Sequence, residues 1–317
     1  MKTVLIIGGY GFLGTNILKY IDDELQDRFR VIVLDRFPEN RSGLILNSVI
    51  KSYAGDFSDS SLVEKVFAEN RIDLVIHSLS TTIPALSNNA RYDVETNLIP
   101  TLELLRCMVR HQVYQIVYIS SGGAIYGDWA GFPHKESDDV FPISTYGVVK
   151  LAIEKYLMLY AKQYGLKPLI LRLSNPFGPY HYSMQQGICN VAIDTALSGK
   201  QFTVWGDGTS LKDYIYVTDF VRILFLLLQK GVWGEVINIG SGHLVAVNSI
   251  LGLVKEFIPD FVWSYGSFIS NDVSQCALNT TKMKEIIGDY HFVEMEEGIR
   301  SILEWKTKKK GRKSDGN

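Results

Sequence analysis

Val4-Leu5-Ile6-Ile7-Gly8-Gly9-Tyr10-Gly11-Phe12-Leu13-Gly14 is the stretch that decides the fold. Its first four residues are apolar and mostly β-branched, the pattern of a short strand buried on both faces. Glycines follow at once, and helical spacing begins at Phe12 and runs to about Asp23. The glycines fit Gly-x-x-Gly-x-x-Gly through Gly8, Gly11 and Gly14, and also Gly-x-Gly-x-x-Gly through Gly9, Gly11 and Gly14. In either register the missing side chains let the backbone approach a pyrophosphate, whose charge then sits at a helix N-terminus. The cofactor contacts expected from this stretch are Gly8, Gly11, Phe12, Leu13 and Gly14. A bare glycine spacing is weak, but this one has the strand–loop–helix context that the chemistry requires.

The next strand reads from Arg30 to Leu34 and ends at Asp35, 21 residues after Gly14. A carboxylate there accepts hydrogen bonds from the adenosine ribose and repels a 2′-phosphate, which favours NAD over NADP. Arg36, next in sequence, is a group that would instead bind such a phosphate. Gly55-Asp56-Phe57 follows a third strand near Ile50–Tyr53; Asp56 either contacts the adenine or shapes a turn, and Phe57 is placed with it at the cofactor. Helical spacing covers Leu62–Glu69, Tyr92–His111 and Thr145–Tyr164, the last with Gly165 as C-cap. Short apolar strands read at Leu74–His77, Gln115–Ile119 and Pro168–Leu173. Strand–helix alternation of this kind predicts a doubly wound parallel sheet, an α/β fold. After Asn175-Pro176-Phe177-Gly178-Pro179 the segments shorten and turn residues multiply. We therefore expect a dinucleotide-binding domain over 1–174 and a smaller α+β substrate domain over 175–317. The chain is expected to return to the first sheet near 213–241, through Val236–Ile239.

Composition excludes several classes. The chain has 317 residues, 46% hydrophobic and 21% charged, with a net charge of −2, which gives no electrostatic case for nucleic acid. Cys107, Cys189 and Cys276 are far apart and no Cys/His cluster occurs, so neither a disulfide framework nor a metal site is expected, and the thiols suggest a reducing compartment. The N-terminal apolar run is too short for a signal sequence, and the longest later one, Ile223–Leu228, is far below the roughly 20 residues of a membrane span. The expectation is a cytoplasmic protein with a basic, solvated tail at 306–313.

Tyr146-Gly147-Val148-Val149-Lys150 carries the chemistry. Residues four apart share one helix face. A free tyrosine has a pKa of about 10, and a nearby cation favours its ionised form. The pair is therefore expected to pass a proton to or from a sugar hydroxyl. With Gly8/Gly11/Gly14, Asp35, Gly55-Asp56, Asn97 within Thr96–Thr101, Ser120-Ser121 before Tyr126-Gly127, Arg172–Gly178, Gly206-Asp207-Gly208 before Asp213–Val217, and Asn238-Ile239-Gly240, the chain resembles the extended short-chain dehydrogenase/reductases that act on nucleotide sugars. The resemblance runs over nearly the whole chain. It implies that Tyr146 is the acid/base and that Lys150 holds the nicotinamide ribose and lowers the pKa of Tyr146. It implies a serine hydroxyl on the same substrate oxygen, an Asn97 contact to the cofactor, and an Asn175 contact to the substrate's diphosphate. It also implies a homodimer built on the helices Tyr92–His111 and Thr145–Tyr164, where Leu151, Tyr156 and Leu159 serve either the interface or the core.

Four departures from the family pattern shape the reading. Gly122 stands where the hydroxyl residue is usual, so Ser121 is assigned that role with Ser120 in reserve. Gly122-Gly123-Ala124 replaces the acidic pair of the family's dehydratases. Lys212 replaces an arginine that grips phosphate; near Asp272, which fits the pattern, Ser270 replaces another, leaving Lys200 as a substitute charge. Pocket walls are expected from Tyr180, Tyr182, Gln185 and Gln186. The function expected is that of a UDP-sugar 4-epimerase using bound NAD. The alternatives are a reductase of a 4-keto-6-deoxy nucleotide sugar and, in a different class, a dinucleotide-binding regulator without catalysis.

Overall fold

Strand β1 (Lys2–Ile7) is buried from Val4 onward, and its alternating side chains divide two cores. Val4 and Ile6 face one cluster and Leu5 and Ile7 the other, as the two-residue period of a strand requires. In this computed structural model the described residues are 1–317 except 41, 85–86, 128–132, 268–274 and 315–317, with the side chains of 275–276 and 309–314 also left out.

The chain continues through α1 (Phe12–Glu24), β2 (Phe29–Asp35), β3 (Val49–Ala54), α2 (Ser60–Glu69) and β4 (Leu74–His77). The single helix expected over Tyr92–His111 is corrected here. It is α3 (Ala90–Asp93), a π-helical turn at Val94–Leu98, and α4 (Ile99–Arg110). Pro100 supplies the reason: it has no N–H, and its ring conflicts with the carbonyl four residues back. The Ile99 amide reaches Val94 O, five residues back, which is the π pattern. The Thr101 hydroxyl then takes the Asn97 carbonyl at 2.6 Å.

Next come β5 (Gln115–Ser121), α5 (Gly122–Ile125), α6 (Thr145–Tyr164), β6 (Lys167–Leu173) and β7 (Asn175–Phe177). Helix α6 starts where the Ser144 hydroxyl accepts the Gly147 amide and stops where Gly165 turns left-handed at φ 73°. The remaining elements are α7 (Ile188–Leu197), β8 (Phe202–Trp205), β9 (Leu211–Tyr216), α8 (Val217–Gln229), β10 (Glu235–Ile239), β11 (Leu244–Ala246), α9 (Val247–Phe257), β12 (Trp263–Gly266), β13 (Gln275–Cys276), α10 (Thr281–Ile287) and α11 (Met295–Ser314).

Seven parallel strands form the central sheet in the order β10-β6-β5-β4-β1-β2-β3. Helices α1 and α8 cover one face, through Ile17, Leu18, Phe220 and Leu224. Helices α2, α4 and α6 cover the other, through Val66, Leu104, Ile153 and Leu157. Beyond residue 174, α8 packs on this body, β10 adds an edge strand beside β6, and Met283 of α10 joins the same core. A separate cluster that includes Tyr214, Ile193, Ile250 and Ile302 gathers α7, α9 and α11 around β7 and β9. Because β1 pairs with both β2 and β4, the winding reverses there. The carboxyl ends of β1, β4 and β5 therefore open onto one crevice, where such sheets bind ligands.

Candidate active site

The glycine loop closes the first side of the crevice. Gly8 sits at φ +77° and its amide donates to Leu34 O at 2.9 Å. A Cβ on Gly14 would lie 2.3 Å from Gly8 O and 2.6 Å from the Gly9 Cα, so α1 can press on the loop only without a side chain there. Gly11 is the N-cap of α1; no side chain caps the helix, and its first turn, which begins Phe12-Leu13, holds no acidic residue. That leaves backbone N–H groups and the positive helix end facing the crevice.

Asp35 is 6% exposed at the end of β2. Its carboxylate accepts the Tyr10 amide at 2.9 Å and the Phe37 amide at 3.1 Å, which fixes it beside the loop. A cleft there is lined by Asp35, Arg36, Asp56, Phe57, Leu79 and Thr81. Within it Asp56 accepts the Ser58 amide at 2.9 Å and the Ser58 hydroxyl at 2.7 Å, and these bonds hold its carboxyl below the usual range. The turn-shaping reading of Asp56 thus has visible partners. Phe57 is buried against the His77 ring, with centroids 5.1 Å apart.

Tyr146 and Lys150 line a second pocket with Ser80, Thr82, Asn97 and Tyr118. Lys150 is buried, and its Nζ donates to Ile119 O at 2.9 Å, 5.7 Å from the Tyr146 ring centroid. Burial, rather than the neighbouring Lys150, has the largest effect on the Tyr146 phenol. Burial pushes the phenol up to about 12, against the Ser121 and Ser80 hydroxyls, which favour the phenolate. Burial likewise pulls Lys150 down to about 8. The ammonium is drawn to a carbonyl at the end of β5, and desolvation outweighs its attraction for the phenol.

The two serines at the end of β5 diverge. Ser120 is buried and donates to Glu154 at 2.5 Å, behind the pocket. Ser121 is the one beside the Tyr146 phenol. A side chain at position 122 would have to displace Leu278, because a Cβ there would lie 2.5 Å from Leu278 Cδ1 and 3.1 Å from Arg172 O. Leu278 arrives from a segment bridged to His134, and no local sequence signal announces it.

The π turn aims Asn97 at the loop after β4. Its Oδ1 accepts the Thr81 amide at 2.9 Å, and its Nδ2 donates to Thr81 Oγ1 at 2.6 Å. Asn97 therefore clamps this loop at the crevice. His77 and Thr101, also at the pocket wall, bond each other at 3.0 Å.

Other expected site residues are not among those that line the Tyr146 pocket. The Asn175 amide donates to Asp213 O at 2.9 Å and ties β7 to β9. Lys212 sits next to Asp213 on β9. Asp272 and Ser270 fall outside the described residues. Tyr180 and Tyr182, expected in the pocket wall, pack their rings on Trp305 of α11, 5.3 and 5.6 Å between centroids; large aromatic surface is buried against the C-terminal helix instead. Gln185 and Gln186 are exposed. Leu151, left between interface and core, packs with Ile125 and Tyr126. One cluster with metal-ligand chemistry, Glu64, Cys107 and His111, joins α2 to α4 away from the pocket, and Arg110 bonds the same Glu64 carboxylate.

The sheet order, the glycine loop and the Tyr/Lys helix define a dinucleotide-binding fold with an acid/base site at its crevice. Residues 4–240 match the NAD dependent epimerase/dehydratase family, and the chain belongs to that family. It is 29% identical over 308 residues to a putative UDP-glucose 4-epimerase of Methanocaldococcus jannaschii, covering 95% of this chain and 97% of the relative. It is 27% identical over 341 residues to the dTDP-glucose 4,6-dehydratase of Neisseria meningitidis, covering 96% and 93%. The structure superposes on that of Thermotoga maritima UDP-glucose 4-epimerase with UDP-glucose at a TM-score of 0.87, with 30% identity and coverage of 97% and 99%.

Proposed function

We propose that the chain is a UDP-sugar 4-epimerase acting on a hexose or N-acetylhexosamine through bound NAD. The observation that carries this reading is the pocket around Tyr146. It offers hydroxyls, an ammonium and amides, and none of its described lining residues is a carboxylate. Elimination of water, the dehydratase reaction, needs an acid there, whereas epimerisation needs only proton exchange on one oxygen. The relative and the neighbour described as UDP-glucose 4-epimerases support the same choice.

The cofactor fits the residues present. The uncapped start of α1 with Gly8, Gly11, Phe12, Leu13 and Gly14 would hold the pyrophosphate, and Asp35 the adenosine ribose. Lys150 and Asn97 would hold the nicotinamide ribose. When bound, NAD supplies the hydride acceptor and donor for C4. Tyr146 takes the O4 proton as the sugar becomes a ketone and returns it when the alcohol forms again. Ser121 holds the same oxygen in line. With a positively charged cofactor bound, Lys150 and that charge together would favour the Tyr146 phenolate. Asn175, Lys212 and Asp272 are proposed on the diphosphate side of the substrate.

The test of the reading is a panel of UDP-sugars given to the purified protein without added cofactor. Interconversion of a C4 pair is expected; strict dependence on stoichiometric NADPH with a 4-keto sugar would favour the reductase reading. The cofactor assignment has its own check. Asp35→Asn removes charge from a buried acceptor, a change worth about 1.5–3 kcal/mol for a charged hydrogen bond. NAD binding by fluorescence titration should weaken by roughly 10- to 100-fold, while NADP binding improves.

We further propose a homodimer through α6 and the α3–α4 run. Val148, Tyr156 and Leu159 are 52%, 38% and 41% exposed on one stripe of α6, and Tyr92 and Ile99 are each 47% exposed on the neighbouring helices. An apolar stripe of this kind marks an interaction surface. Leu159→Glu combined with Val148→Glu should give a monomer by sedimentation. No described helix is long and apolar enough to cross a membrane.

A further inference from the structure

We propose that Glu64, Cys107 and His111 bind one borderline-soft divalent cation of the zinc class, which clips α2 to α4 outside the active site.

Each residue brings one donor atom: a carboxylate oxygen of Glu64, the Cys107 sulfur and the His111 Nε2. The three atoms lie within 4.8 Å of one another. The His111 amide donates to Cys107 O at 3.0 Å, so the helical course of α4 carries one residue past Arg110. Cys107 and His111, four residues apart, therefore share a face. Glu64 lies 43 positions before Cys107 and arrives from α2, which is why the sequence alone gives no sign of the cluster. Val63 and Phe67 of α2 share a core with Leu104 and Met108 of α4, and this packing fixes the two helices side by side. Phe67 also lies against the His111 ring, with centroids 5.7 Å apart, and restrains its rotation.

The spacing suits a metal. In a tetrahedral zinc site with bonds of about 2.0–2.3 Å, the donor atoms stand roughly 3.2–3.7 Å apart. Cys107 Sγ is 3.5 Å from Glu64 Oε2, and His111 Nε2 is 2.6 Å from Glu64 Oε1. The first separation already matches, and the second needs to open by about 0.6 Å. The His111 and Glu64 side chains are 27% and 42% exposed, so both can make that turn and water can take the fourth position. Sulfur and imidazole donors select zinc over magnesium or calcium, which take oxygen ligands. On ligation the Cys107 thiol passes its proton to solvent and a sulfur–metal bond replaces the S–H bond. The thiolate and carboxylate then balance the two charges of the cation, and nothing is oxidised or reduced. Arg110 is the competitor, since it bonds the same Glu64 carboxylate. Its side chain is 53% exposed, and an ion pair this open to water yields easily to a metal.

The test is titration of the full chain, stripped of metal by a chelator and kept reduced, with Co2+ and then Zn2+. One equivalent of Co2+ should give the visible bands of four-coordinate cobalt and a near-ultraviolet thiolate-to-cobalt band, and Zn2+ should erase both. Cys107→Ala should abolish the thiolate band. His111→Gln and Glu64→Gln change partly exposed residues and should keep the parent's circular dichroism, yet weaken Co2+ binding by roughly 10-fold or more. Arg110→Gln should tighten it. Zn2+ at a hundredfold excess over its Kd should raise the parent's melting temperature by about 5 °C and leave that of His111→Gln unmoved. A parent without the thiolate band, or equal binding in the parent, Cys107→Ala and His111→Gln, would overturn the proposal.

Discussion

Tyr146→Phe is expected to lower turnover by roughly 10²-fold or more, the usual scale for losing a general acid/base. The substitution removes one oxygen and leaves the ring, so the packing of the pocket survives. Steady-state turnover on the C4 pair, with bound nicotinamide measured on the same sample, checks this. The loss should fall on kcat, since the phenol acts on the reacting oxygen rather than on the nucleotide. The sign of the pH dependence follows from the desolvated phenol. Burial raises Tyr146 to about 12, so the phenolate needed for oxidation is scarce at neutral pH until the cofactor's charge lowers that value. Rate in the oxidative direction should therefore rise with pH and flatten once the phenolate predominates.

The second large effect is on stability. Arg172 and Glu154 are both buried, and the guanidinium reaches Glu154 by Nη2 at 2.8 Å and by Nε at 3.2 Å to each oxygen. Arg172 also donates to the Tyr126 hydroxyl at 2.9 Å, which donates in turn to Asn238 Oδ1 at 2.8 Å. This network ties α6, β6 and β10 together behind the catalytic residues, and Ser120 closes it at the end of β5. Removing one partner leaves a buried charge without its counter-ion, at a cost of about 3–5 kcal/mol. Arg172→Ala should show that loss in chemical denaturation, whereas Glu154 and Arg172 replaced together by apolar residues of similar volume should lose far less. Equal losses in both would show that packing, not the stranded charge, sets the effect.

Much of this fold was legible in the sequence because the signals were local. The apolar run Val4–Ile7, the glycines after it and the Ser144/Gly165 caps of α6 each depend on residues close in sequence. Asp35 could be placed for the same reason, since a strand end and a glycine loop have a fixed spacing in this topology. What the sequence did not show arises from distant partners. Pro100 sat in plain view, but its effect, a π turn that re-aims Asn97 onto Thr81, depends on the register of backbone bonds. Gly122 reads in the sequence as a missing hydroxyl; only the approach of Leu278 shows what a side chain there would have to displace. Ser120 and Ser121 are adjacent in sequence and alternate across the strand, so one faces Glu154 and the other the pocket. Tyr180 and Tyr182 were expected at the substrate because they follow the Pro179 turn. They are drawn to Trp305 by a helix formed at the far end of the chain.

In the proposed epimerase reaction, hydride leaves C4 and returns to the same carbon without exchange with any other pool. The most direct measurement uses a UDP-sugar carrying deuterium at C4, incubated with the purified protein in ordinary water and with no added nicotinamide. A C4-epimeric product that keeps its deuterium at C4 is expected. Loss of the label, or no product until stoichiometric reduced cofactor is supplied, would contradict it.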